Sequence, residues 1–262
     1  MKKLFVFDLD NTLRSTNLRK ILPNTKKLIQ EISANPDYVL ALATGRGLAK
    51  LDVLEDMDSF FKYKILVNGA ITLEDNLILN ENHIKKEVVE DIINAANQRN
   101  IAVGLVGMKD EVVTFIDKEV EKAFDNFVDK KPKAQPTFYL EQHVYQMWVF
   151  HKDEKMLEKE IRQHQDLEIY HWHDGGFDIV PKGISKASAL KELMKKYPDY
   201  QVIAVGDGHN DLDMIRLADV GIIMENSRWI KDAQGSFQYV APHVDHDALY
   251  DFFKNTTHHI RS

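Results

Sequence analysis

Two acidic segments hold the residues of this chain best suited to chemistry. Phe7-Asp8-Leu9-Asp10 places two carboxylates at the end of the first apolar run, and Val205-Gly206-Asp207-Gly208-His209-Asn210-Asp211 adds more near the other end. Of two neighbouring carboxylates, one can attack an electrophile while the other moves a proton. Two such clusters brought together repel unless a divalent cation or a substrate group offsets their charge. Oxygen ligands of this kind favour magnesium over zinc. Alone, Asp8-Leu9-Asp10-Asn11 also reads as a solvated turn; the second strand-like run ending in its own acidic loop weighs against that.

Other polar groups complete the set. Thr44, in Ala43-Thr44-Gly45-Arg46, offers a hydroxyl at the end of a strand-like run, and Gly45 lets an anion approach the backbone N–H groups. Lys186 falls on the first turn of an expected helix, where a cation opposes the helix dipole unless it faces an anion. An ordinary solvent lysine is the alternative. Together these groups suit phosphoryl transfer, whose transition state puts charge on the phosphoryl oxygens. Asp8 and Asp10 can supply attack and proton transfer, Thr44 and Lys186 can hold the oxygens, and Asp207 with Asp211 can complete a hard-cation site.

The elements that position these residues follow from hydrophobic periodicity. Leu4 to Phe7 is an unbroken apolar run, as in a strand buried on both faces. A helix over 24–32, a strand over 38–43, a helix over 47–57 and a strand over 65–67 follow, which predicts a doubly wound α/β fold. From about Asn80 the pattern changes. A helix over 85–99, strands over 101–106 and 112–116, a helix near 118–128, a Pro-containing linker over 131–136, a strand over 144–150, a helix over 154–164 and strands over 167–172 and 177–180 describe an α+β module. Its expected form is one helical layer against an antiparallel sheet. Alternation then returns: Ser185 caps a helix, 201–205 is a strand, 211–217 a helix and 220–224 a strand. The predicted organisation is one α/β domain built from 1–81 and 182–262, with 82–181 inserted as a second domain.

Composition excludes several function classes. The 262 residues contain no cysteine, so disulfides, thiolate catalysis and Cys-ligated zinc are out. Lys plus Arg is 34 against Asp plus Glu 41, a formal charge of -7 without a basic block, which argues against nucleic acid. Asp8 and Asp10 interrupt the apolar run after Met1-Lys2-Lys3, and no membrane-length apolar stretch follows. A soluble cytoplasmic protein is expected, with its oligomeric state open between a monomer and a weak dimer.

Four ordered motifs carry a family resemblance. Asp8-Leu9-Asp10-Asn11-Thr12-Leu13, Ala43-Thr44-Gly45-Arg46, Gly183-Ile184-Ser185-Lys186 and Gly206-Asp207-Gly208-His209-Asn210-Asp211 resemble those of the haloacid dehalogenase superfamily. Their order, the long insertion and Asn68-Gly69-Ala70 resemble its Cof-type branch, whose members are magnesium-dependent phosphatases. The resemblance implies a Rossmann-like core with a parallel sheet and an inserted α+β cap of the second type (C2B). It makes Asp8 the nucleophile and a Mg2+ ligand, and Asp10 the acid/base with its carbonyl on the metal. Thr44 and Lys186 would bind the phosphoryl group, with Lys182 a competitor for the lysine role. Asp207 would ligate the metal, Asp211 would do so directly or through water, and Asn210 would support the loop or the phosphate. Asn11 stands where most relatives have Gly, and Ala187 where a small Gly often follows the lysine; neither removes a needed charge.

The substrate implied is a small phosphorylated metabolite, a sugar or polyol phosphate, cleaved through an aspartyl-phosphate. Substrate choice is expected in Tyr170-His171-Trp172-His173-Asp174-Gly175-Gly176-Phe177-Asp178, a ring- and carboxylate-bearing segment of the insertion that would close over the leaving group. Trp172 is either packing or a stacking platform, and Asp178 and Arg46 are candidates for the substrate's polar edge. His171 and His173 lack a third ligand for zinc. A phosphosugar mutase, a signalling receiver and a silent binding protein are the competing readings. Receivers lack so long an insertion and the second acid.

Overall fold

The structure is a computed structural model that describes residues 1–127, 132–150, 155–171 and 176–260. Elements in the first stretch are β1 (Lys3–Phe7), β2 (Arg14–Ser15), β3 (Lys20–Ile21), α1 (Pro23–Ser33), β4 (Tyr38–Ala43), β5 (Tyr63–Leu66), β6 (Ile71–Glu74) and β7 (Leu77–Glu81). The middle holds α2 (Lys86–Asn97), β8 (Val103–Val106), β9 (Glu111–Val113), α3 (Lys118–Phe127), β10 (Lys133–Ala134), β11 (Gln146–Val149), α4 (Lys155–Ile161), β12 (Leu167–His171) and β13 (Phe177–Pro181). The last stretch holds α5 (Lys186–Met194), β14 (Gln201–Gly206), α6 (Leu212–Leu217), β15 (Val220–Met224), β16 (Tyr239–Ala241) and α7 (Leu249–Ile260). The chain divides into two compact units: 1–46, 51–80 and 185–262 form one, while 47–50 and 81–184 form the other.

The first unit is built on an eight-stranded sheet in the order β16-β15-β14-β1-β4-β5-β6-β7. The run from β16 to β5 is parallel, and β6 then pairs antiparallel with β5. Alternation along β1 explains its unbroken apolar sequence. Leu4 and Val6 belong to a core with Leu190 and Leu193 of α5 and Met214 of α6. Phe5 and Phe7 point the other way and meet Phe253 of α7, with ring centroids 6.1 and 5.9 Å apart. Both faces are covered by helices, as a parallel sheet requires.

Two local outcomes differ from the sequence expectation. The helix expected over 47–57 is instead short 3-10 turns in Leu48–Lys50 and Asp52–Phe60, the second stretch kinked at Glu55 with φ 53° and ψ -125°. Leu51, Leu54 and Met57 are buried, but the non-helical backbone at Glu55 breaks the stretch between Leu54 and Met57. The strand expected over 65–67 ends at Leu66, because Val67, Asn68 and Gly69 take positive φ values of 49, 55 and 103°.

In the second unit a six-stranded sheet runs β10-β9-β8-β11-β13-β12 and is antiparallel except for the β10/β9 pair. β10 falls inside the expected Pro-containing linker. Val112 packs in a core with α2 and α4, whereas its neighbour Val113 packs with Val120 and Phe124 of α3. Adjacent strand residues face opposite sides, so helical side chains cover both faces rather than forming the single layer expected.

The start of α1 is completed from far along the chain. Its N-cap, Leu22, has no side-chain oxygen to offer, and Asp247, with φ 52°, accepts from the N–H groups of Asn24 and Thr25 at 3.0 to 3.1 Å. A carboxylate there satisfies orphan donors and complements the helix dipole. Asp247→Ala is expected to destabilise the protein by about 1 kcal/mol, up to about 2, whereas Asp247→Asn keeps an acceptor and tolerates positive φ. Urea unfolding midpoints of the two variants check this; equal losses would remove the capping argument.

Candidate active site

Four neighbouring parallel strands, β15, β14, β1 and β4, end on the same edge of the first unit's sheet. Phe7 is in register with Val205, so Asp8 and the 206–211 loop leave the sheet side by side, and the Asp8 N–H donates to the Val205 carbonyl at 2.9 Å. The two acidic loops therefore meet. Ligand oxygens of Asp8, Asp207 and Asp211 lie within 4.8 Å of one another.

Lys186 enters this cluster from the first turn of α5. Ser185 and Ser188 form a reciprocal capping box that fixes where the helix starts. The Lys186 ammonium, 1% exposed, donates to Asp8 Oδ1 and Asp211 Oδ1, each at 2.7 Å. Lys182 is exposed and belongs to the other unit, so Lys186 is the lysine that reaches Asp8. Asp211, fully buried, commits its second oxygen to the N–H groups of Asp207 and Gly208 at 3.1 and 2.8 Å. It thus anchors the loop and the lysine. Gly206 makes the fold-back possible, since a Cβ there would lie 2.5 Å from the Asp211 Cβ.

Asp10 faces a different environment. Arg46 grips it with Nε on Oδ2 at 2.6 Å and Nη2 on Oδ1 at 2.9 Å, and Arg14 Nη1 reaches Oδ1 at 3.2 Å. Arg46, a candidate for the substrate's polar edge, is here a partner of Asp10. The loop that separates Asp8 from Asp10 turns at Asn11, whose φ of 61° fits the tolerance of asparagine for left-handed backbone. The Leu9 carbonyl accepts from the N–H groups of Leu13 and Arg14 at 3.0 and 2.7 Å, which closes this turn.

Thr44 is buried at the end of β4, and its hydroxyl accepts from the Arg46 N–H at 3.1 Å. Gly45 is exposed beside it. Asn210 Nδ2 donates to Asn68 Oδ1 at 2.8 Å, and that same oxygen would lie 3.2 Å from a Cβ at Gly45. Asn68 thus joins the Thr44 and Asn210 loops. Gly69 must be glycine: a Cβ there would fall 2.3 Å from the Ser185 carbonyl, directly before Lys186. Asp178 is half-buried in β13 of the second unit, opposite Trp148 and Tyr170. Trp172, with His173 and Asp174, lies outside the described residues.

Sequence reasoning assigned no role to several residues here. Thr12 Oγ1 donates to Asp207 Oδ1 at 3.4 Å, and Ser227 Oγ donates to the Asp207 carbonyl. Asn226 Nδ2 donates to the Asn11 carbonyl at 2.8 Å. The signal for the last two was available: Glu225-Asn226-Ser227 directly follows a strand, as the first two acidic loops do.

Residues 5–253 match the family model described as haloacid dehalogenase-like hydrolase. The chain belongs to that family. It is 26% identical over 254 residues to a Bacillus subtilis protein named "Putative phosphatase YkrA", covering 94% of this chain and 95% of that one. It is 24% identical over 234 residues to the B. subtilis 5-amino-6-(5-phospho-D-ribitylamino)uracil phosphatase YcsE, covering 86% and 85% of the two chains. The solved structure of BT1666, a phosphatase of the same superfamily from Bacteroides thetaiotaomicron, superposes with a TM-score of 0.85 at 22% identity, over 98% of this chain and 96% of that one. The superfamily resemblance, the α/β core and the phosphatase class expected from the motifs are borne out. Among the described residues no helix is long and apolar enough to cross a membrane.

The electrostatics of the cluster fit a divalent cation. Burial, then the neighbouring Asp211, pushes Asp8 up to about 7 against the pull of Lys186. Burial, then Asp8 and Asp211, pushes Asp207 up to about 8. Burial alone lowers the Lys186 ammonium, yet Asp211 and Asp8 turn its net shift upward. Three carboxylates facing one ammonium leave negative charge that a hard cation would offset. Both raised carboxylates bind protons more tightly folded than unfolded. Their stabilisation is therefore full below about pH 4 and is lost as pH rises through about 7 and 8. With a chelator present, the melting temperature is expected to fall from pH 5 to pH 8. Added Mg2+ should raise it more at pH 8 than at pH 5. A magnesium effect independent of pH would contradict the assignment.

Proposed function

We propose that this chain hydrolyses small phosphomonoesters, of the sugar or polyol phosphate type, in a magnesium-dependent reaction through an aspartyl-phosphate on Asp8. The observation that carries this reading is the buried Lys186 ammonium held 2.7 Å from Asp8, inside a cluster of three carboxylates that one ammonium only partly offsets. The relative named for a phosphorylated ribityl compound supports a polyol phosphate as substrate class.

In this reading Asp8 and Asp207 hold the magnesium ion with the Asp10 backbone carbonyl, and Asp211 acts through the loop it anchors. The ion would supply positive charge beside the phosphoryl oxygens. Asp8 attacks phosphorus with one carboxylate oxygen while Lys186 offsets the charge of the other. As the ester P–O bond breaks, Asp10 gives its proton to the leaving alcohol oxygen. Asp10, now a carboxylate, takes a proton from water, and the resulting hydroxide displaces Asp8 from phosphorus to release inorganic phosphate. The Thr44 hydroxyl and the backbone at Gly45 hold phosphoryl oxygens, with Asn210 beside them. Selection among esters is assigned to side chains of the inserted unit, with Asp178 and Trp172 the first to substitute. A cap of the second type and a cytoplasmic location complete the proposal.

Purified protein is expected to release inorganic phosphate from sugar and polyol phosphates with Mg2+ and to stop when the metal is chelated. Asp8→Asn should lower turnover on the order of 10³-fold or more. No magnesium-dependent release across a broad panel would sink the proposal, and an isomeric phosphate product in place of free phosphate would show a mutase.

A further inference from the structure

Asp10 is held by two guanidiniums that do different things to its two oxygens. Arg46 covers both, Oδ2 at 2.6 Å and Oδ1 at 2.9 Å. Arg14 donates to Oδ1, at 3.2 Å. Their settings also differ. The Arg14 side chain is 6% exposed, against 19% for Arg46. Arg14 is pinned through its backbone as well: its N–H donates to the Leu9 carbonyl at 2.7 Å, and its carbonyl accepts from the Asn11 N–H at 2.6 Å. It also starts β2, which pairs with β3. Arg46 leaves β4 in the Thr44-Gly45-Arg46 loop, where its own N–H donates to the Thr44 hydroxyl.

We propose that Arg14 is a positioning residue that fixes Oδ1 of Asp10, so that Oδ2 is the oxygen that carries the proton once Arg46 releases it. This rests on the phosphatase reading above. In this structure both oxygens of Asp10 are engaged by Arg46. A guanidinium is attracted to phosphoryl oxygens as it is to a carboxylate, so an arriving phosphomonoester competes for Arg46. When Arg46 transfers to the substrate, a carboxylate without Arg14 would be free to rotate about its Cβ–Cγ bond. With Arg14 in place, Oδ1 stays fixed and Oδ2 faces the departing oxygen. Protonated Oδ2 gives its proton to the alkoxide as the P–O bond breaks; the same oxygen then accepts a proton from the attacking water. Protons balance over the cycle, and Arg14 transfers none. Arg14 is therefore the fixed support and Arg46 the exchangeable one.

The discriminating measurement compares two substrates on the magnesium-loaded enzyme. An alkyl phosphate such as glycerol phosphate needs its leaving oxygen protonated, whereas 4-nitrophenyl phosphate leaves as a stable phenolate. Misplacing the acid should penalise the first selectively. Arg14→Met is expected to lower the alkyl-to-aryl ratio of kcat/KM by about 10- to 100-fold, within the range of general acid catalysis, and to do so through kcat. Asp10→Asn should lower the ratio at least as far, and Arg14→Lys should recover part of it. Arg46→Met should act mainly on KM and keep the ratio close to wild type. Equal losses on both substrates in Arg14→Met, or a ratio that collapses in Arg46→Met but not in Arg14→Lys and Arg14→Met, would overturn the proposal. Thermal melting of each variant separates misfolding from misplacement, and Arg14→Lys keeps the test open if the Met variant melts early. A wild-type enzyme that cleaves neither ester would instead remove the phosphatase reading itself.

Discussion

The first unit's site depends on one buried ammonium. Lys186 joins three places in the chain: the end of β1 through Asp8, the loop after β14 through Asp211, and its own helix α5. A lysine on the first helical turn opposes the helix dipole, and burial adds a desolvation cost. Two carboxylate partners at 2.7 Å offset both. Removing one partner would leave a buried charge poorly paired, which typically costs about 3–5 kcal/mol. The arrangement also links loop geometry to charge. Asp211 holds Lys186 with one oxygen and the N–H groups of Asp207 and Gly208 with the other, so the lysine and the loop share one anchor.

That anchor needs α5 to begin in one place, and a strained turn secures the approach. Val67, Asn68 and Gly69 take positive φ in succession, which is unfavourable above all for a β-branched residue. At Val67 this costs about 1–3 kcal/mol and persists because the surrounding structure over-determines it. Here Val67 N–H donates to the Arg46 carbonyl and Asn68 N–H to the Thr44 carbonyl, both at 3.1 Å. The turn delivers Asn68 to Asn210 and lets the Ser185 carbonyl pack against Gly69. The strain therefore sits between the Thr44 loop, the Asn210 loop and the start of the lysine helix.

The sequence pattern shows why some of this was legible. β1, β4, β14 and β15 appear as apolar runs because helices cover both sheet faces, and each run stops where a polar loop begins. The loops at Asp8, Thr44 and Asp207 were therefore placed by pattern alone. Choosing between Lys182 and Lys186 was not possible that way, since both lie in one stretch around the start of the same helix; the capping box that makes Lys186 the first helical residue, and its 2.7 Å contact with Asp8, decide it in three dimensions. That Asp211 also anchors its own loop was not legible, because spacing says nothing of a loop folding back on its own N–H groups. Asp52–Phe60 was read as part of a helix because its apolar spacing also suits an α-helical face, whereas that spacing gives no sign of the kink at Glu55. Pairing of Arg14 and Arg46 with Asp10 depends on a turn whose closing bonds converge on a backbone carbonyl, and that leaves no trace in side-chain periodicity.

The same turn explains how Asp8 and Asp10 acquire different surroundings although only Leu9 separates them. In an extended strand, residues two apart share a face and would share an environment. β1 ends at Phe7, and the Leu9 carbonyl gathers the following N–H groups while Asn11 turns left-handed. Asp8 stays buried beside Lys186, Asp207 and Asp211; Asp10 swings out to a half-buried position between two guanidiniums. An ammonium shared with other acids leaves Asp8 as part of a charged cluster, whereas a two-arginine cradle sets the orientation of Asp10. Two chemically identical side chains are thus differentiated by backbone conformation, which supplies the asymmetry that a division between attack and proton transfer requires.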